Sequence, residues 1–600
     1  MFSAISWSLS LGLALQAAAA PPFRNDLNEH QPRNISAADL KYTLPLSPGN
    51  TAERANSIHV KRDTFVYGPG ICGDVPFWPT GTLGNSTTQT DFEKFTAEGV
   101  PVKTAVFSDQ DIALTAITAA GGIKQLSDYE LLYQDQWKKS IPDGVDLGVL
   151  SNYTDDLLFS MERLSINPYS TKRLNPSDTL PFPVEDNIAT AITGATVELL
   201  LKSGRLFYAD HSNQKTLEST GRYAAACDAY FYIHPTSGDF LPLAVRTNVG
   251  SNLVYTPTDS ANDWLLAKMM FNLNDFWHSQ WYHLSATHNV AEIVFEAAYR
   301  TLSDEHPVMA ILQRLTPELF SYRQSAISVL VNKGGFIDRL FAFSGAAAIK
   351  TTSDMYTSGF AGNFQANYFY PNLRSRGLLD STFGPEIKAF PFLEDASVIH
   401  TAIKDFMTAF VDSTYPDPSV FTQDKELQAW IVEAVAAKVM DFPTSIDRTT
   451  LIDILTHFAF LVSAEHQTLN TNDLAEASGS LPFHPFALYQ PIPTAKGVTD
   501  LVPFLPNASQ AVSQIVLTAL FARPEWVKSD RSLTQMFNDP AMLRGMNKKT
   551  AEAAAKFQTT LMRFSDVVSS RGFDAEGLCQ GMPFIWRTLD PQRAPYFLTI

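Results

Sequence analysis

The 600-residue chain has only three cysteines, Cys72, Cys227 and Cys579, widely spaced and without a CxxC pair. At most one disulfide can close, so the chain is not a disulfide-stapled module. It also lacks a basic run, and its net charge of −17 argues against nucleic acid as a partner. A polybasic membrane anchor is absent for the same reason. No segment has the ~18 uninterrupted apolar residues that would mark a transmembrane helix with confidence. The absence of GxSxG removes the usual signal of an acyl hydrolase. What the chain has in quantity is core-forming material, 45% hydrophobic and 12% aromatic, enough to fold without staples.

The first residues, MFSAISWSLSLGLALQAAAAPP, carry a short apolar stretch followed by small residues, the pattern of a secretory signal over residues 1–20. Residues 21–62 are polar, contain five prolines and end in Lys61-Arg62; they are expected to be a poorly ordered leader with a possible dibasic processing site. Sequons at Asn34, Asn85, Asn152 and Asn507 fit export and glycosylation.

The densest stretch chemically runs from Trp264 to Leu315, with no Gly and no Pro before Pro307, and it predicts one long helix. His278, His283 and His288 recur in it at steps of five. On a regular helix such a step leaves neighbours roughly 140° apart, too far round to share an ion. A local π-turn would bring one adjacent pair nearly onto one face, and π-turns often mark functional sites. The competing reading is three hydrogen-bonded core histidines among aromatic neighbours. A second breaker-free stretch, Leu451 to Asn470, places His466 and Asn470 four apart on one helical face. The chain ends on an apolar carboxylate at Ile600, and a buried carboxylate needs a cation.

WxxAK (Trp264, Ala267, Lys268), then Asn274-Asp275, HxxxxHxxxxH, Glu292, His306-Pro307, a later HxxxN and the terminal Ile resemble the lipoxygenase family, with further echoes in GRLFYADH, LPLAV, VYTPTD and LPFHPFALYQP. The resemblance spans most of the chain from about Tyr67 to Ile600. It implies a mainly α fold, one large helical catalytic domain over residues 63–600 with small β elements and no N-terminal β-barrel domain. It also implies that His283, His288, His466, Asn470 and the Ile600 carboxylate bind one metal ion. His278 would stand beside these ligands without touching the ion, and His306 and His484 would be structural.

By the same resemblance the chain is a secreted non-heme dioxygenase. A trivalent metal-hydroxide, with no side-chain base, would take hydrogen from the bis-allylic carbon of a polyunsaturated fatty acid such as linoleic or α-linolenic acid, and O2 would add to give a hydroperoxide. Three imidazoles, an amide oxygen and a carboxylate suit Fe or Mn alike. The four-residue gap between His283 and His288, the terminal Ile and Ala326 look like the iron enzymes; the leader, the sequons and the missing barrel look like the secreted fungal manganese enzymes. The expectation is iron first, manganese second. Ala326 falls at the channel position that the family associates with S products, Phe341 and Phe343 are candidates for shaping the channel, and Arg531 or Arg523 for holding the substrate carboxylate. A catalytically inactive lipid-binding protein on the same fold is the alternative of a different class. A monomer is the default.

Along the chain, Asp109 to Thr118, Tyr129 to Lys138, Lys425 to Met440, Ala508 to Phe521 and Ala551 to Val568 predict helices. Gly204 to Tyr208 and Leu241 to Arg246 predict strands. Gly334-Gly335 should interrupt Glu318 to Gly345. Leu427, Trp430, Ile431, Ala434 and Val435 should form a buried stripe.

Overall fold

The computed structural model describes residues 40–46, 51–65, 86–470 and 477–599. Helix α1 spans Thr51–Thr64 and α2 spans Ser86–Ala119, absorbing the expected Asp109 to Thr118 helix. Five strands follow: β1 (Thr171–Arg173), β2 (Leu206–Asp210), β3 (Asp228–Ile233), β4 (Phe240–Arg246) and β5 (Val254–Tyr255). They form one antiparallel sheet in sequential order, the only sheet among the described residues. Successive side chains of a strand face opposite ways. Phe207, Ala209, Ala229 and Phe231 therefore enter the main core, while Leu206, Tyr208, Tyr230 and Tyr232 close a smaller one with Phe182 and Leu200.

The rest is mainly helical. α3 (Ala261–His283) passes through a π-helical turn, Leu284–Asn289, into α4 (Val290–Tyr299); α5 (Pro307–Leu315) and α6 (Ser321–Ser325) follow, and a second π-helical turn occupies Ala326–Leu330. Later come α7 (Pro391–Thr414), α8 (Lys425–Ala436), α9 (Arg448–Phe460), a third π-helical turn at Leu461–Glu465, α10 (His466–Leu469), α11 (Ala508–Ala519) and α12 (Lys548–Ser569). The long helix expected from Trp264 to Leu315 thus breaks after Tyr299. His306 caps α5, its Nδ1 accepting from the Val308 N–H at 3.1 Å while Nε2 meets Asp424 at 3.0 Å, and Pro307 fits the first helical turn, where its missing N–H costs nothing.

The motif residues of α3 fasten it to its neighbours. Ser260 caps it through the Asp263 N–H. Trp264 Nε1 and Lys268 Nζ share Asp156 Oδ1 at 2.7 and 2.8 Å. Asn274 Oδ1 accepts from the Cys227 N–H at 2.9 Å, and Asp275 binds His211 at 2.9 Å and Arg163 at 3.0 Å. Burial opposes the Asp275 charge, but Arg163, His211 and His278 together hold the carboxyl well below its usual range. Buried charges persist where every partner is supplied, as here.

Several expectations need correction. Tyr129 to Lys138 forms a short 3₁₀ turn, Leu126–Tyr133, followed by loops, because Asp135 takes a left-handed conformation (φ 59°) that ends the helical path. In α8 the stripe of Leu427, Trp430, Ile431 and Ala434 is buried, but Val435 is exposed, since it lies one residue past the stripe's edge. The expected leader contains structure at its end: α1 is docked, with Arg54 Nε on Glu426 at 3.0 Å and Lys61 Nζ on the Leu302 carbonyl at 2.7 Å and on Asp304 at 2.9 Å. Phe65, fully buried, packs on Tyr299 and Phe320. The dibasic pair therefore lies in a helix with a buried lysine, and the ordered domain extends ahead of residue 63.

Glu426 also accepts from the Ser303 N–H and hydroxyl, both at 2.8 Å. Replacing it by Ala strands the Arg54 guanidinium in the interior, a loss of about 3 kcal/mol for a broken buried pair. Glu426→Ala is expected to loosen α1 and to speed cleavage at Lys61-Arg62 by a dibasic-specific protease at least tenfold over wild type, read by N-terminal sequencing; equal rates would show that α1 is not held by this contact.

Candidate metal centre

His283 ends α3 and His288 sits inside the following π-turn. The wider coil absorbs the excess of a five-residue step, and the two imidazoles meet with ring centroids 5.1 Å apart. From the second helical path comes His466, at 5.1 Å from His283 and 4.9 Å from His288. Ligand atoms of the three histidines lie within 4.8 Å of one another, the only such group among the described residues. The π-turn at Leu461–Glu465, just before His466, carries no obvious sequence signature.

Asn470 is not on the helical face expected from its spacing. Its backbone is extended (φ −131°, ψ 92°) and it ends the helix, its N–H bonded to the His466 carbonyl at 2.8 Å. Its side chain still lines the cavity beside the histidines. Ile600 lies outside the described residues, but Thr599, immediately before it, borders the same small space as His288.

The electrostatics fit a cation. His283 Nδ1 lies 2.6 Å from the Gln280 carbonyl and donates to it, which turns the Nε2 lone pair inward. That Nε2 and the Asn470 Oδ1 are buried without a partner, an expensive arrangement unless a positive ion meets them. His288 and His466 bring their Nε2 atoms within 3.0 Å. Burial holds His283 down to about 3, and burial with the neighbouring imidazoles holds His288 and His466 well below the usual range. All three are neutral at physiological pH, as metal ligands must be.

His278 faces elsewhere, contrary to the expectation that it stands beside the ligands. It is still within regular α3, so five residues turn it away from His283, and it packs against His211, Tyr282 and Phe360. His306 and His484 are structural, the latter paired with Glu162 at 2.9 Å.

An apolar cavity opens on His283, His288 and Asn470. Ala326 and Phe341 line it, Phe341 stacked on Phe486 at 4.4 Å and Phe486 on Phe276 at 4.6 Å. Phe343 does not; its ring packs on Trp277 and its backbone bridges Ser219. Arg531 is outside this lining too, engaged by Glu98 at 2.6 Å and Glu318 at 3.4 Å. Arg523 donates to the Leu520 and Ala522 carbonyls.

Three contacts escaped sequence reasoning. The Tyr322 ring lies 4.2 Å from that of His288, Gln280 donates to the Leu469 carbonyl at 2.8 Å, and Glu292 pairs with Arg323 at 2.5 Å with both side chains fully buried. The last pair ties α4 to α6, which leads into the π-turn of Ala326. The position of Glu292 four residues after His288 was its only signal.

Of the sequons, Asn152 donates its amide to the Pro583 carbonyl at 2.6 Å, whereas Asn507 is exposed and caps α11. Asn34 and Asn85 fall outside the described residues. Cys227 and Cys579 are buried free thiols.

Comparison with known proteins gives a consistent result. The sequence profile of the lipoxygenase family matches residues 180–571. The chain is 47% identical to a manganese lipoxygenase of Fusarium oxysporum over 566 residues, 93% of either chain, and 45% identical to one of Gaeumannomyces tritici over 581 residues, 94% of either chain. The solved structure of the manganese lipoxygenase of Gaeumannomyces graminis superposes with a TM-score of 0.90 at 46% identity, covering 93% of this chain and all of that one. These names run against the expectation of iron ahead of manganese. The ligand types accept either ion, so the donor set alone could not order them.

His288→Ala is expected to lose bound metal and activity together, while His278→Ala keeps at least half of its metal. Elemental analysis of the two purified variants checks this, and the reverse pattern would exclude the assigned cluster.

Proposed function

This chain belongs to the lipoxygenase family, and from that premise we propose that it is a manganese-dependent dioxygenase of polyunsaturated fatty acids such as linoleic and α-linolenic acid. His283, His288, His466, Asn470 and the Ile600 carboxylate hold one manganese ion. The observation that carries this reading is the meeting of three neutral imidazoles and an unpartnered amide oxygen, with His283, His288 and Asn470 bordering an apolar cavity. The manganese names of relatives at 45–47% identity support the choice of ion.

When bound, the ion supplies the one-electron redox chemistry that oxygenation of a bis-allylic carbon requires. The chain's own groups do the rest. Gln280 fixes the tautomer of His283, so that Nε2 rather than Nδ1 faces the ion. The phenylalanine stack of Phe276, Phe486 and Phe341 gives the acyl chain a rigid apolar wall and excludes water. The Glu292–Arg323 pair sets the helix of the metal ligands against the one that presents Ala326. Ala326, whose methyl group narrows the cavity near the reacting carbon, favours S products.

The leader and Asn507 support a further part of the proposal, export as a glycoprotein. Asn152, whose amide is already engaged, is not expected to carry a glycan.

Expression from the full sequence tests the reading in one preparation. The protein is expected in the medium with a glycan at Asn507 and close to one manganese per chain, and it should form conjugated dienes from linoleic acid. Stoichiometric iron would overturn the choice of ion; a metal-loaded protein inert towards polyunsaturated acids would overturn the activity. Separately, Ala326→Gly is expected to move the product mixture from S towards R hydroperoxide, measured by chiral chromatography, with unchanged metal content.

A further inference from the structure

We infer that Arg531 is a positioning residue that clamps the C-terminal segment, fixing the course of the chain that delivers its last carboxylate to the metal; this rests on the ligand set proposed above. The final residues run against the loop that follows α11. The Lys528 N–H donates to the Gln592 carbonyl at 2.7 Å, the Leu533 N–H to the Ala594 carbonyl at 2.7 Å and the Tyr596 N–H to the Arg531 carbonyl at 3.3 Å. Arg314 covers the Tyr596 ring at 4.1 Å. These contacts fix the segment only as far as Tyr596.

Beyond it, the contact that continues the clamp is made by the Arg531 side chain. Its guanidinium lies 5.1 Å from the Phe597 ring and 5.6 Å from that of Trp526, and the two rings are 5.3 Å apart. Its edge is held by Glu98 of α2 and by Glu318, which also binds Lys94 at 2.7 Å. Guanidinium chemistry suits both tasks at once, the edge meeting carboxylates while the flat face lies on aromatic rings. An ammonium would meet the carboxylates but, lacking the flat face, would hold the rings less well. Phe597 is three residues from the terminus, and three residues span at most about 10 Å. Leu598 and Thr599 border the same small space as His288 and Tyr322. The clamp therefore ends where the approach to the histidines begins.

The competing role for Arg531 is the sequence expectation, a tether for the substrate carboxylate, and its Nη1 is indeed buried without a partner. The two roles separate experimentally. Full-length wild type, Arg531→Met, Arg531→Lys and Phe597→Leu are loaded with Mn(II), challenged with a chelator, and assayed by elemental analysis and by the electron paramagnetic resonance of bound Mn(II). KM is measured for linoleic acid and for its methyl ester. Arg531→Met and Phe597→Leu should each weaken Mn(II) binding about 10- to 100-fold, the usual effect of losing a group that orients a ligand. The double variant should be no weaker than the worse single one, Arg531→Lys should recover only part of the loss, and KM for acid and ester should change by the same factor. Wild-type metal retention in both single variants, or a KM rise confined to the free acid, overturns the inference. If Arg531→Met does not fold, Phe597→Leu alone decides. A wild type that binds no Mn(II) would instead overturn the ligand set itself.

Discussion

Three neutral imidazoles brought together in a dry interior can offer one another little more than one hydrogen bond, across the 3.0 Å between the Nε2 atoms of His288 and His466. The Nε2 of His283 stays an acceptor with no donor, and charging an imidazole to supply one is opposed by burial, which holds His283 down to about 3. The fold nevertheless assembles them, and adds an amide oxygen with no donor in reach. A cation relieves both orphaned acceptors, which couples metal binding to correct assembly of the centre. Much of the surrounding structure supports that convergence. The His211–Asp275–Arg163 network locks α3 in place, and a carbonyl of the same helix selects the tautomer of His283.

The cavity shares its walls with the metal centre. His283 and His288 border it from one helical path, Asn470 from another and Ala326 from a third. Because Glu292 and Arg323 are both fully buried, sliding α6 against α4 would separate two opposite charges with no water to receive them. The distance between the histidine cluster and Ala326 is thus maintained by electrostatics, whereas the width of the cavity is maintained by ring stacking. Arg531 extends the same logic to the end of the chain, using one face for an aromatic ring and one edge for two carboxylates.

Much of this was legible in the residues themselves. The five-residue histidine spacing made sense only with a local π-turn, and the family resemblance pointed to both helical paths and to a mainly α fold. Local signals failed where tertiary partners decide. The π-turn before His466 is made of residues with no preference for it, and Asn470 leaves its helix at a place where spacing alone predicts continuity. Arg531 looks like any cation near a channel until Glu98 and Glu318, far away in sequence, are seen to occupy it. Lys61 and Arg54 read as leader charges because their buried partners lie hundreds of residues downstream. The ion's identity could not be read from the donors at all.

The π-turn at Leu284–Asn289 also sets the phase in which the rest of this helix is read. It stores one residue more than a regular turn would use. Were the same residues, with none removed, to run on as a regular helix, everything after the turn would swing by about 100°. His288 would then leave the cluster, and Glu292 would leave Arg323 in the same motion. The metal site and the cavity wall are therefore read in a single phase, and a change of phase in this helix that spoils one spoils the other.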